Sequence, residues 1–376
     1  MENQRNPYIF GPPVRGKDFI NREAELQTLF NRLRTGQSAA VIGEPHVGKT
    51  SLLLKMDEPE TQARYLAEDE IGQVQMRFLD LLDLESKDNR ATFWRRALRQ
   101  LRAKPGSRAV STRLQAAEAA QYDKDALEGL FETLAVAGRK LVLLLDEFER
   151  LLIHPGFDDP AFFASLRGLS NNTGGLVIIP ASRKTIEEMN DLGRGLLDTG
   201  SPFFNNTIPV FLRPFETPAV EVLLNLPENH FSLEERCFVR RVAGSNPFLL
   251  QAMAGTLWET PGPDRPVRAA EMFFERVSFH FKDLWDSFDD PTRTAAVILS
   301  LLELGGRALG REFNYGEIER VDAFGPELRQ LARRGLAECV EKTKRGWIFD
   351  WDHLLVWRGE RWTVSSQAFA WWLRDV

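Results

Sequence analysis

The most constraining feature of this chain is a glycine-containing segment that fits the pattern G-x-x-x-x-G-K-[ST] of a phosphate-binding loop. It reads Gly43-Glu44-Pro45-His46-Val47-Gly48-Lys49-Thr50. In such a loop the backbone N–H groups turn toward phosphates, and the following helix presents its positive end. We predict that Lys49 reaches the β- and γ-phosphates and that the Thr50 hydroxyl binds Mg²⁺. Ser51, the next residue, completes the predicted phosphate site.

The flanking sequence supports this interpretation. Residues 38–42 form a short apolar run of the kind found in buried parallel strands. Residues 51–56 are strong helix formers. Strand, glycine loop and helix therefore occur in the order that a phosphate-binding loop requires. The alternative is an ordinary glycine-rich turn before a helix.

Composition limits the class of protein. The chain has 376 residues, 43% of them hydrophobic and 27% charged, as in a globular protein of two or three domains. Its net charge of −6 argues against a protein that mainly coats nucleic acid, although a local basic patch remains compatible. The two cysteines, Cys237 and Cys339, show no metal-binding spacing and favour a reducing compartment. With no apolar signal core and no run of ~20 apolar residues, we expect a cytoplasmic protein without membrane contact.

The order of apolar and helical segments predicts the domains. Strand-like runs alternate with helices up to Pro214, which predicts an α/β core with a parallel sheet. Residues 104–121 begin as a predicted flexible loop. Helices follow Pro214, and the strand-like pieces 336–341 and 347–351, joined by a charged tip at Lys342–Arg345, suggest a winged helix. We therefore predict an N-terminal arm (1–19), a P-loop core (20–214), a helical lid (215–288) and a winged-helix domain (289–376).

A second motif follows the aliphatic run Leu141–Leu145 and consists of Asp146 and Glu147. A carboxylate at the end of a buried strand beside the phosphate loop can hold Mg²⁺ through its water shell. Asp146 fits this role. Glu147 can accept a proton from an attacking water molecule. The alternative is an acidic start to the next loop.

Two weaker motifs follow. Ser182 and Arg183 end the next apolar run, where Arg183 would detect the γ-phosphate through charge-assisted contacts. Otherwise Arg183 is a surface arginine. In the segment 244–250, Pro247 suits the first turn of a helix, which explains the proline without a ligand. The pattern nevertheless falls where a helical lid would close over the nucleotide.

Taken in order, these segments resemble the STAND branch of P-loop ATPases, neighbours of AAA+ and of archaeal and origin-recognition ATPases. The resemblance extends from about Phe19 to the end of the chain. Residues 19–26 resemble the family's apolar-apolar-Gly-Arg-Glu motif, which implies adenine contacts for Ile20 and Asn21, with Asn21 in place of the usual glycine. It also identifies Walker A, Walker B, a Ser/Thr-Arg sensor and a Gly-x-Pro motif that would place Pro247 on the adenine.

The resemblance implies ATP or ADP and Mg²⁺ as cofactors and slow, regulatory ATP hydrolysis. The implied role is a molecular switch whose nucleotide state controls self-association into a homo-oligomer. A separate sensor or effector protein would act with it, in bacterial defence or signalling. Arg167 lies on a helix that faces the neighbouring subunit's nucleotide in AAA+-like assemblies, so it is a candidate for an arginine donated in trans. The alternative is a solvated helix arginine.

Two other functions remain open. One is a DNA-handling ATPase of the replication-initiator or transposition-regulator kind, with the winged helix in a DNA groove. Against it, acids outnumber bases across 285–376, and the helix 327–334 offers only Arg329, Arg333 and Arg334. The other is a nucleotide-binding scaffold without turnover, against which the presence of Lys49, Asp146 and Glu147 argues.

Overall fold

In a computed structural model of the chain, the described residues form two compact units. One unit is Pro13–Leu212, and the other combines Met1–Pro12 with Arg213–Val376. The described residues are 5–192, 204, 207–226, 230–303, 307–308, 311–312, 324–341, 346–348, 356–358 and 361–375. Within these ranges, no helix is both long enough and apolar enough to cross a membrane.

The first unit is built on a five-stranded parallel sheet with the order β2-β3-β4-β1-β5. Alternate residues of each strand point to opposite faces, so Leu143 and Leu145 enter one core while Val142 and Leu144 enter the other. The predicted α/β class with a parallel sheet is therefore confirmed. The strands are β1 (Ala39–Ile42), β2 (Val74–Asp80), β3 (Lys140–Asp146), β4 (Leu176–Ser182) and β5 (Ile208–Phe211).

Helices cover both faces of this sheet. The loop predicted at the start of 104–121 is short, because Ser107 caps a helix that begins at Arg108. Its Val110, Leu114 and Ala117 form a buried stripe. The helices are α1 (Glu23–Arg34), α2 (Lys49–Met56), α3 (Pro59–Tyr65), α4 (Glu68–Ile71), α5 (Arg90–Ala97), α6 (Arg99–Ala103), α7 (Arg108–Ala119), α8 (Lys124–Val136), α9 (Glu149–Ile153), α10 (Pro160–Asn172) and α11 (Ile186–Leu192), with 3₁₀ turns at Gly16–Asp18, Leu81–Asp83 and Pro155–Phe157.

The second unit is mainly helical. Residues 1–12 of the predicted N-terminal arm belong to it, and Tyr8 is buried and stacks on Phe231 with ring centroids 5.6 Å apart. Its helices are α12 (Thr217–Leu224), α13 (Leu233–Ala243), α14 (Pro247–Glu259), α15 (Arg265–Asp286), α16 (Asp290–Glu303), α17 (Gly325–Arg333) and α18 (Gln367–Asp375). Its strands are β6 (Arg307–Ala308), β7 (Arg311–Glu312), β8 (Ala337–Glu341), β9 (Gly346–Ile348), β10 (Val356–Arg358) and β11 (Arg361–Val364).

The predicted hairpin of this unit was wrong in its pairing. Strand β8 pairs with β11, and β9 pairs with β10, all antiparallel. Burial explains the choice, since Val364 of β11 lies opposite Ala337 of β8 and both side chains are buried. The charged tip Lys342–Arg345 lies outside the described residues. The boundary between lid and winged helix stays a prediction.

Candidate nucleotide site

The predicted phosphate loop lies between β1 and α2, where two glycines have separate functions. Gly48 caps α2 with φ of +101°, a conformation that glycine adopts readily. A Cβ on Gly43 would lie 2.8 Å from the Val47 side chain and 3.1 Å from that of Leu212. The Gly43 amide donates to the carbonyl of Ser182 at 3.1 Å. The loop is thereby fixed to the end of β4.

Lys49, the first residue of α2, is buried within this loop. Its Nζ donates to the carbonyls of Gly43 at 2.9 Å and Glu44 at 3.1 Å. Burial lowers the pKa of Lys49, and four nearby carboxylates, Glu147 foremost, act in the opposite direction. The side chain of Lys49 therefore lies among several carboxylates, with its Nζ held by two carbonyls of the loop.

Thr50 and Asp146 meet directly. Thr50 Oγ1 donates to Asp146 Oδ2 at 2.6 Å, and Asp146 Oδ1 has no hydrogen-bond partner among the described residues. Burial raises the pKa of Asp146, while the Thr50 hydrogen bond and Lys49 oppose that shift. A hydroxyl and a carboxylate are the oxygen ligands that Mg²⁺ prefers, so this pair fits the predicted metal site.

The rest of the metal shell has to come from elsewhere. The described ranges contain no group of three or more His, Cys, Asp or Glu side chains arranged to hold a metal. Mg²⁺ usually keeps several waters and binds one or two protein oxygens together with substrate phosphates. Ser51 Oγ accepts the amide of Val14 at 3.1 Å, which leaves its O–H able to donate.

Glu147 follows Asp146 with an unusual backbone. Its φ is +51°, in the left-handed region that few residues other than glycine occupy. Such conformations persist where the surrounding structure holds them, and they are enriched at functional sites. Burial raises the pKa of Glu147, and Lys49 opposes the shift. A raised pKa brings a carboxylate closer to that of an efficient general base at neutral pH.

Glu149 is a buried acid that the sequence prediction missed. Its Oε1 accepts the backbone amide of Arg183 at 3.3 Å and lies 3.5 Å from Arg183 Nε. Its Oε2 has no hydrogen-bond partner among the described residues. The available signal was an acid between two apolar residues that both prove to be fully buried, Phe148 and Leu151. Glu149 therefore joins α9 to the end of β4.

Arg183 lies at the edge of this pocket with just over half of its side chain exposed. Its predicted partner in the motif, Ser182, is fully buried, and Ser182 Oγ accepts the amide of Lys184 at 2.9 Å. Arg183 forms its ion pair with Glu149. Contact with a γ-phosphate stays a prediction.

The predicted adenine motif is tied to the phosphate loop. Arg22 is buried, pairs with Glu25 at 3.1 Å and donates to the carbonyl of Val47 at 3.4 Å. Asn21 has φ of +63°, in the left-handed region that glycine adopts readily and asparagine tolerates better than most residues. Ile20 is half-buried. Adenine contacts for Ile20 and Asn21 remain predictions.

Two predicted residues belong to elements other than those that form this cluster. Arg167 is half-buried on α10 and lies beside Ser38 and Thr207, which precede β1 and β5. The phosphate loop and Asp146 instead follow the carboxyl ends of their strands. Pro247 opens α14 in the second unit, where Asn246 caps the helix. The roles of Arg167 and Pro247 stay predictions.

Comparisons with known proteins agree with this geometry. Residues 32–189 match the family model described as an AAA domain, so this segment is similar to AAA domains. The chain resembles the Walker-type ATPase PABY2304 of Pyrococcus abyssi, at 14% identity over 98% of this chain and 99% of that chain, with a TM-score of 0.57. It also resembles the ORC2 protein of Aeropyrum pernix in its ADPNP–ADP complexes, at 15% identity over 100% and 96%, with a TM-score of 0.52.

At these identities the likeness shows a shared fold: a P-loop core followed by a helical region. No curated protein matches the sequence. The STAND branch is not distinguished from its neighbours by any of these comparisons, so that assignment stays a prediction.

Proposed function

We propose that this protein is an AAA-type ATPase that binds ATP or ADP with Mg²⁺ and hydrolyses ATP slowly. The observation that supports this most directly is the 2.6 Å hydrogen bond between Thr50 and Asp146 beside the buried Lys49. The two groups that would hold Mg²⁺ already face each other. The lysine that would bind phosphate precedes Thr50 in the chain, and its Nζ is held by the carbonyl of Gly43.

Each residue then has a stated task. Lys49 exchanges the carbonyls of Gly43 and Glu44 for phosphate oxygens, and Thr50 and Asp146 hold Mg²⁺, which neutralises phosphate charge. Glu147 accepts the proton of the attacking water. Arg183 exchanges its contact with Glu149 for the γ-phosphate, and Arg167 acts on the nucleotide of a neighbouring subunit.

Calorimetry with MgATP tests this proposal. We expect the wild-type chain to bind MgATP and Lys49→Ala to weaken binding by about 100-fold, since charge-assisted hydrogen bonds are worth roughly 1.5–3 kcal/mol each. Lys87→Ala, an exposed lysine of the same unit, serves as the control and should bind normally. Absence of binding by well-folded wild-type protein would contradict the proposal.

As a second candidate, we propose that the ATPase acts on DNA, as a replication initiator or transposition regulator does. The fold shared with the ORC2 protein over the whole chain supports this role better than it supports a separate-effector switch. A mobility shift of duplex DNA should appear at low salt and weaken as salt rises. Replacing Lys342, Lys344 and Arg345 by Glu should abolish it. No shift at low salt retires this candidate.

The STAND-type switch remains the other proposal for what the nucleotide controls. In that case the chain self-associates with a non-hydrolysable ATP analogue but not with ADP, and it recruits a separate sensor or effector protein. Native mass measurement with each nucleotide tests this directly. Equal affinities together with an unchanged mass would exclude the switch.

A further inference from the structure

The second unit contains a groove of about 940 Å³ that is lined by five arginines and two glutamates. Its walls come from α12, α13, α17, β8 and β11. These elements belong to one compact unit and lie outside the segment 32–189 that is similar to AAA domains. No residue of the phosphate loop lines this groove.

Most of the positive charge in this groove is not neutralised. Arg241, Arg329 and Arg333 are exposed and form no ion pair with any described carboxylate, and Arg240 donates to the Thr217 hydroxyl at 3.0 Å. Elsewhere in the same unit, Arg265 pairs with Glu235 at 2.5 Å. Clustered like charges repel one another, so four such arginines in one groove favour an anionic ligand.

Arg334, at the end of the same helix, differs from Arg329 and Arg333 in its contacts. Arg334 lies over the ring of Phe288 at 4.6 Å and donates to Ser287 Oγ at 2.7 Å. It does not line the groove, whereas Arg329 and Arg333 do. The helix thus directs two arginines into the groove and uses the third for packing.

The remaining lining favours a compact ligand over an extended polyanion. Glu216 and Glu338 line the same groove and would repel a continuous run of phosphates, but they can accept hydrogen bonds from the N–H or O–H groups of a base or sugar. Trp362 offers an aromatic face on which a planar group can stack. The volume lies within the ~300–1,000 Å³ range of small-molecule sites.

We propose that this groove binds a small phosphorylated ligand of nucleotide size at a site distinct from the phosphate loop. Arg240, Arg241, Arg329 and Arg333 bind its phosphates, and Trp362 contacts its planar part. This site goes beyond the proposed ATPase activity and gives the second unit a ligand of its own.

Calorimetry with inorganic pyrophosphate and with AMP tests the site in a Lys49→Ala background, which disables the phosphate loop. We expect binding to persist in Lys49→Ala and to fall at least tenfold when Arg329→Glu and Arg333→Glu are added. Arg241→Ala, on a different helix, should give a smaller loss. Arg268→Glu, an exposed arginine on α15, is the matched control and should bind normally.

Two results would overturn the proposal. One is the absence of pyrophosphate and AMP binding in a folded Lys49→Ala protein, or an affinity for these probes that the arginine substitutions leave unchanged. The other is binding of a labelled 20-base-pair duplex that requires Arg329 and Arg333, while pyrophosphate and AMP do not bind. That result would make the groove a nucleic-acid surface. Because the phosphate loop is disabled throughout, neither result bears on ATP binding by the wild-type chain.

Discussion

Replacing Glu147 by Gln should leave MgATP binding unchanged and lower the rate of phosphate release by about 10²- to 10⁴-fold, the usual contribution of a general base. Gln keeps the size of the side chain and one acceptor oxygen, but it cannot take a proton from water. Glu147 directly follows the predicted metal ligand, and burial raises its pKa toward that of an efficient base. Single-turnover phosphate release and binding calorimetry on the same sample separate chemistry from affinity.

Glu149→Gln is the matched control for this experiment. Glu149 is a second buried acid two residues away, but its Oε1 already accepts the backbone amide of Arg183. A neutral Gln can still accept that hydrogen bond, so we expect phosphate release to change by less than about tenfold. A larger loss from Glu149→Gln than from Glu147→Gln would exchange the two roles. No loss from either variant would favour a nucleotide-binding scaffold without turnover.

The sequence predicted those parts of the site that depend on local pattern and on one rule of sheet topology. Glycine spacing located the loop, and the aliphatic run before Asp146 located a buried strand. Since carboxyl ends of parallel strands meet at one edge of a sheet, residues 96 positions apart could be expected to converge. The Thr50–Asp146 hydrogen bond has that origin.

The parts that the sequence did not predict depend on tertiary partners or on backbone conformation. Glu149 looked like one more acid in an acidic loop, and its contact with Arg183 exists only because α9 and the end of β4 lie together. The pairing of β8 with β11 could not be predicted from the sequence, because the four residues of β11 show little apolar alternation. The pairing depends on the burial of Val364 opposite Ala337.

The arginine groove was missed for the same reason. Its residues are spread over more than 150 positions, and each arginine by itself resembles a solvated surface residue. Only the fold brings them together, and only the contacts of Arg334 with Phe288 and Ser287 show that it differs from Arg333. Asn21 is an intermediate case, since a resemblance in the sequence pointed to the position and only the structure shows its φ of +63°.

Replacing Asp146 by Asn should stabilise the nucleotide-free protein and at the same time abolish its stabilisation by MgATP. The Asp146 carboxylate is buried, with one oxygen lacking a partner among the described residues, and such a group generally costs about 1–3 kcal/mol. Asn removes the charge but still accepts the Thr50 hydroxyl. With ligand at 100 times Kd, the wild type should gain about 2.7 kcal/mol of stability, whereas the variant, which lacks the carboxylate ligand for Mg²⁺, should gain much less.

The free energy of unfolding should depend on pH in a definite direction, which a change in packing alone would not cause. Burial raises the pKa of Asp146 in the folded chain above its value in the unfolded chain. Between these two pKa values the folded state therefore binds more protons than the unfolded state. The contribution of Asp146 to the free energy of unfolding falls as pH rises. The cost of Asp146 is absent below the unfolded pKa and fully present above the raised folded pKa.

Urea unfolding of the wild type and Asp146→Asn without nucleotide, from pH 4 to pH 8, measures this difference. The variant should become progressively more stable than the wild type as pH rises, and the gap should then level off. Thr50→Val is a useful companion, because it removes the hydroxyl that holds the charged carboxylate and should widen the cost of Asp146. A gap that is constant with pH would show that burial does not raise the pKa of Asp146. A variant that MgATP stabilises as strongly as the wild type would show that Asp146 is not a ligand for the metal.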